Sequence, residues 1–218
     1  MSDLATLRDV VELDLDDSSN AVWSTTDIDR ALARALYQYS QVNPQRAVGT
    51  ITLTADGREI SLSSLSGLMR VVRVWYPYTA ADPEDPPEWR RWDLWGSTLH
   101  IVDGDEPASG DVVRVFYFKP QTIDDLDSAT ATTVPGEDER VIVLGAGGYA
   151  ALQKARGSIG AAGVSTDTPQ HWLTWALNRL DHFHLALHEV RARELRRLDK
   201  RVPMDRDGWE RAETREAI

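Results

Sequence analysis

The sequence predicts an α+β fold: a helical bundle of two N-terminal and two C-terminal helices, the last one long, with an inserted antiparallel β-sheet region. Three observations carry this expectation. Apolar residues recur at a helical period up to Tyr39, alternate at period 2 between Val48 and Phe118, and return to helical spacing after Gly136. The β segments are joined by connections too short for parallel crossovers, so their pairing has to be antiparallel.

Taken in order, residues 3–15 place Leu4, Leu7, Val10 and Val11 on one face of a short helix, which the acidic run from Asp14 to Asp17 ends. In the second helix, Ser24, Thr25 or Thr26 can cap free N–H groups, while Asp27 and Asp29 complement the positive end of the dipole. Its stripe is Ile28, Ala31, Leu32, Ala35, Leu36 and Tyr39, closed by Asn43-Pro44. Residues 49–54 and 58–62 alternate on either side of Ala55-Asp56-Gly57 and read as a β-hairpin. A β-branched and aromatic strand over 69–78 follows, then an exposed proline loop over 79–88. A hairpin turning at Gly96-Ser97 and a strand over 111–118 complete an expected meander of five or six strands.

Residues 121–133 are rich in Asp, Thr and Ser and read as a loop or crossing arm with little core potential. Glu137 to Glu139 open a third helix that is rich in small residues, and a Gly/Ser/Ala linker over 157–163 leads to the long fourth helix, about 169–201, with Pro169 in its first turn. The chain thus divides into N-terminal bundle helices (1–46), an antiparallel β region (47–120), an extended arm (121–135), C-terminal bundle helices (136–202) and a charged docking tail (203–218).

Composition narrows the function. At roughly 150 residues per domain, 218 residues make one or two domains with a real core. With no cysteine there is no disulfide framework, thiolate metal site or cysteine nucleophile, which fits a non-oxidising compartment. No apolar run is long enough to span a bilayer, and the acidic N-terminus is unlike a signal peptide, so a soluble, internal protein without membrane contact is expected. The net charge of -11 argues against a protein that wraps nucleic acid, since phosphate neutralisation needs clustered Lys and Arg.

Each chemical motif has a plain structural reading beside it. Gly145, Gly147 and Ala150 match G-x-G-x-x-A, but the acidic start at Glu137 marks a helix and no parallel strand with a ribose-binding acid follows; the small residues then serve close helix packing. His184 and His188 lie one turn apart, yet His182 points away from them, so a solvated or interfacial pair is expected and no metal ligand. The β-region aromatics, among them Trp75, Tyr78, Trp89 and Trp92, read as an oligomer interface, with a stacking platform for a glycan as the alternative. In the final helix, basic residues outnumber acidic ones, and Trp209 in the polar tail has no local neighbours to bury it. No nucleophile can be matched to a base and no phosphate loop is present, so neither catalytic residues nor a cofactor are expected.

The phrase from Asn20 to Leu32 (NAVWSTTDIDRAL) resembles the opening of tailed-bacteriophage head-to-tail connector (adaptor, or neck) proteins, with their N-x-x-W-[ST]-x-x-[DE] step into a helix. The strand phrase from Met69 to Val74, the Trp92 to Ile101 hairpin, and Val112 to Phe118 followed by Pro120 continue the similarity. The resemblance implies a structural virion protein: a subunit of a ring, typically dodecameric, that docks under the portal protein. Its other partners would be tail components such as stopper or tail-terminator proteins, with double-stranded DNA passing through the channel at genome ejection. It would be assembled in the host cytoplasm and located in the virion neck. Carried onto this chain, the portal-docking candidates are Arg193, Arg196, Arg197, Lys200, Arg201, Arg206, Trp209 and Arg211. The subunit or tail interface candidates are Trp75, Tyr78, Pro83, Pro86, Trp89 and Trp92. A tail-associated glycan-binding module is the alternative, and a dinucleotide-binding enzyme a remote one.

Overall fold

Asp3 and Ser24 start the first two helices. In the computed structural model, which describes residues 2–19, 21–83, 87–158 and 167–199, the Asp3 carboxylate accepts the Thr6 N–H at the head of α1 (Leu4–Asp14). Ser24 and Asp27 form a reciprocal capping box on α2 (Thr25–Val42). Between the helices, the Asp17 carboxylate accepts the N–H groups of Ala21, Val22 and Trp23, each at 2.9 Å. These bonds, the Trp23 one foremost, hold the Asp17 carboxyl below the usual carboxylate range. Trp23 is buried, and its indole N–H donates to the Ala150 carbonyl at 3.1 Å. The Trp-Ser step therefore ties the start of α2 to α3 (Glu139–Gly157).

The helical core is built from Leu7 and Val11 of α1, the α2 stripe as expected, Ile142, Ala146 and Tyr149 of α3, and Leu180, Phe183, Leu187 and Val190 of α4 (Asp167–Asp199). The third helix is the close-packed one. A Cβ on Gly145 would lie 2.9 Å from the Phe183 ring and 3.0 Å from Ala35 Cβ, and one on Gly148 2.9 Å from Leu180. Only hydrogen fits there, so α3 lies wedged between α2 and α4.

One expectation about the arm is overturned. Ile123, Leu126 and Val134 are buried in the helical core, while Thr122 and Thr133 pair the segment's own backbone, with the Thr133 N–H donating to the Thr122 carbonyl at 2.9 Å. A few apolar residues suffice to anchor it when the polar ones between them satisfy the main chain.

Among the described residues, six strands form two antiparallel sheets. Sheet A has the order β1 (Gln45–Thr52), β6 (Val112–Lys119), β3 (Arg70–Trp75); sheet B has β2 (Glu59–Ser61), β5 (Thr98–Ile101), β4 (Trp92–Trp95). The β4–β5 hairpin forms as expected, with Gly96 at φ 59° in its turn. The expected hairpin between residues 49–54 and 58–62 does not form, and the order is not a meander: β1 pairs with β6 over its whole length and β2 pairs with β5. The turn at Ala55-Asp56-Gly57 instead carries the chain from one sheet to the other. Leu53, Ile60 and Leu62 are all buried in a core that the two sheets share with Val71, Val74, Leu99, Val113, Val115 and Tyr117. Stacking two sheets covers both inner faces, which an in-plane hairpin would leave open.

The β lobe and the helical lobe thus have separate cores. Arg46 of β1 pairs with Glu194 of α4 across them at 3.2 Å, and just past β6 the chain is held on α2, with Gln121 Nε2 donating to the Asn43 carbonyl at 2.9 Å and the Gln121 N–H to Ser40 Oγ at 3.0 Å. Among the described residues no helix is long and apolar enough to cross a membrane.

Candidate functional site

The outer face of sheet A collects the chemistry. A bulge between Val71 and Arg73 lets Val71 and Val74 both face the core, which places Arg70, Arg73 and Trp75 together on the opposite side. Register then gives three rows across the strands: Arg46, Phe118, Arg70; Val48, Phe116, Arg73; Thr50, Arg114, Trp75. Arg70 sits 5.1 Å from the Phe118 centroid, Arg73 5.3 Å from Trp89, and Arg114 4.7 Å from Tyr78 and 5.7 Å from Phe116. The aromatics also meet edge to face, Trp75 on Tyr78 at 4.9 Å and Trp89 on Phe116 at 5.4 Å. Guanidinium groups thus cover ring faces that a sugar or a base would need for stacking.

Of the interface candidates, Trp75, Tyr78 and Trp89 belong to this assembly. Trp75 is only 7% exposed and its indole N–H has no partner among the described residues. Trp92 points the other way and packs against the β core, Pro83 is exposed in its loop, and Pro86 lies outside the described residues. Sequence reading missed the arginines of this face. Their signal was the alternation of Arg70 and Arg73 with valines, but without the bulge the two fall on opposite sides.

Beside this face a cleft of about 500 Å³ runs between the lobes, lined by Val42, Met69, Arg70, Phe118, Arg191 and Leu195 among others. The basic end of α4 borders it. Arg193 donates to the buried Asp138, which also accepts the Tyr39 hydroxyl at 2.6 Å; Asn43 Nδ2 donates to that hydroxyl at 2.7 Å. Burial, reinforced by the Asp138 carboxylate, holds the Tyr39 phenol far above its ordinary pKa. Arg197 pairs with Glu194 at 2.7 Å and with Glu137 at 3.2 Å, while Arg196, among the described residues, bonds the Ala192 carbonyl of its own helix, at 3.2 Å. Lys200, Arg201, Arg206, Trp209 and Arg211 lie outside the described residues.

Helix α4 also exposes leucines outside its buried stripe, three of them in one angular sector that holds His184 and Arg191 between the second and the third. At about 100° per residue, Leu173, Leu177 and Leu195 fall within roughly 40° of one another, about a quarter-turn from the buried stripe; all three are exposed. His182, His184 and His188 are exposed on the same helix, and among the described residues no group of three or more His, Asp or Glu side chains is placed to hold a metal ion. Gly145, Gly147 and Ala150 lie inside α3 and are buried, which removes the strand-to-helix turn that a dinucleotide site requires.

No protein-family model matches the chain, and no curated protein matches it. Among solved structures it is similar to a chain from the neck of an empty gene transfer agent (GTA) particle computed with C6 symmetry. The two are 15% identical, the match covers 78% of this chain and 87% of that one, and the TM-score is 0.31. A score of this size falls short of a common fold, and the likeness is a similarity alone.

Proposed function

We propose that the protein is a non-enzymatic structural subunit of a phage neck: an adaptor ring that docks under a portal, joins capsid to tail and leaves a channel for DNA. The observation that carries this reading is a set of leucines that α4 leaves exposed, a pair near its start and one near its end. A helix of 33 residues, about 50 Å long at 1.5 Å per residue, buries one apolar stripe and leaves Leu173, Leu177 and Leu195 exposed beside it. A subunit packed between neighbours buries such side chains.

Charge supports the same role. A channel that passes DNA benefits from walls that repel phosphate, and the chain carries a net -11. The resemblance of the Asn20 to Leu32 phrase to neck proteins agrees with this, and its Trp23, Ser24 and Asp27 are the residues that fix α2 on the bundle. Native mass spectrometry and negative-stain microscopy of the protein with its portal test the reading: rings on the portal are expected. A chain that stays monomeric when portal is added refutes it.

A further inference from the structure

The β lobe carries opposite charge on its two outer faces. On sheet A the outward strand positions hold Arg46, Arg70, Arg73 and Arg114 and no acid. Only Arg46 of these four is in an ion pair among the described residues. On sheet B, register aligns Glu59, His100 and Asp93 in one outward row and Ser61, Thr98 and Trp95 in the next. Glu59 and Asp93 are exposed, and Trp95 is 87% exposed, the most of any large apolar side chain described. Asp56, Asp105 and Glu106 lie exposed in the loops beside this sheet, against one exposed arginine, Arg91, just ahead of β4.

We propose that these faces are two halves of one contact, in which the carboxylate face of one copy docks on the arginine face of the next, with Trp95 as its anchor. The Arg70 and Arg73 guanidinium groups lie over aromatic rings and are exposed, which leaves their N–H groups available to donate to carboxylates in paired hydrogen bonds. Two successive outward residues of a strand are about 7 Å apart, so Asp93 and Trp95 match the spacing of the Arg73 and Arg70 rows. The cleft beside Arg70 and Phe118 then lies next to the anchor. An exposed tryptophan beside a charged row is the kind of side chain that anchors interface hot spots. The faces lie on opposite sides of one sandwich, so the contact is head-to-tail: every copy keeps one face of each kind for its neighbours, and a chain of copies closes into a ring when the rotation permits. The inference names the contact within the ring proposed above and rests on that reading for its biological setting.

The test is a charge swap read by sedimentation velocity at low and high salt. Wild type is expected to self-associate with concentration, less so in high salt. Arg73→Glu and Asp93→Arg are each expected to weaken association at least tenfold, and an equimolar mixture of the two variants to restore it, since each new face meets its complement. The absence of native cysteine allows a second readout: Arg73→Cys and Asp93→Cys copies, mixed and oxidised, should give the mixed dimer in preference to either homodimer. Failure of wild type to self-associate, unimpaired single variants, or a mixture no better than its components overturns the proposal, as does duplex DNA binding that depends on Arg73 without self-association. Portal-bound rings that persist in both charge variants overturn this contact and leave the ring reading standing. Restoration by the mixture without rings on the portal does the reverse.

Discussion

Removing the Asp138 carboxylate should unfold the helical lobe at markedly milder conditions. Its side chain is 2% exposed and accepts both Arg193 and the Tyr39 hydroxyl. Asp138→Ala therefore leaves a guanidinium and a phenol without their shared acceptor. Breaking a buried ion pair from one side costs about 3–5 kcal/mol, and because the Arg193 side chain is 31% exposed it can partly rehydrate, which favours the lower end, about 3 kcal/mol. At about 2–4 °C per kcal/mol for a chain of this size, the midpoint should fall by about 6–12 °C. Arg193→Met should cost a similar amount, since it strands the carboxylate. The double variant should recover most of the loss, because an apolar replacement of a buried pair is often neutral. Urea titrations followed by far-UV circular dichroism, which reports on the helices, give the cycle. Single variants that each cost under about 1 kcal/mol, or a double variant that is simply additive, would refute the view of this triad as a buried, mutually dependent unit.

Gly145→Ala should destabilise by about 1–2 kcal/mol despite the gain in helix propensity, because the new methyl meets Phe183 and Ala35 at once. Gly157→Ala, with nothing within 4 Å, should be neutral or slightly stabilising; thermal melts of the pair separate packing from propensity. Trp23→Phe should cost about 1–2 kcal/mol through loss of the bond to the Ala150 carbonyl, read in the same melts. Asp17 has a folded pKa below its unfolded value of about 3.9, so the unfolded chain binds the proton first as pH falls. Its stabilisation is complete above about pH 4 and lost below it; in acid titrations followed by tryptophan fluorescence, Asp17→Asn should flatten the dependence in that range.

The helices were legible because their information is local. The α2 stripe and its Ser24–Asp27 cap are contained within consecutive residues, and both formed as read. Strand existence was legible for the same reason, but partners were not. Whether Ala55-Asp56-Gly57 folds β2 back beside β1 or hands it to another sheet depends on residues as distant as Val113 and Leu99, which complete the shared core. Polar composition concealed Ile123 and Leu126. At the candidate site, the concentration of aromatics in the β region could be read from their number and place, whereas the arginine face could not. Its existence rests on the bulge between Val71 and Arg73, which resets parity within β3, and strict alternation sends Arg73 and Arg70 to opposite sides.

Gln45 and Lys119 stand opposite one another at the ends of β1 and β6. Neighbouring strands are separated by about 4.7–4.9 Å, so the chain leaves the helical lobe and comes back to it through a gap that a short turn could bridge. The β lobe hangs from the bundle as a side excursion with a core of its own. Such an arrangement makes it an exchangeable module: a lineage could graft, trim or replace it, and so change what the protein touches, without disturbing the register of any helix.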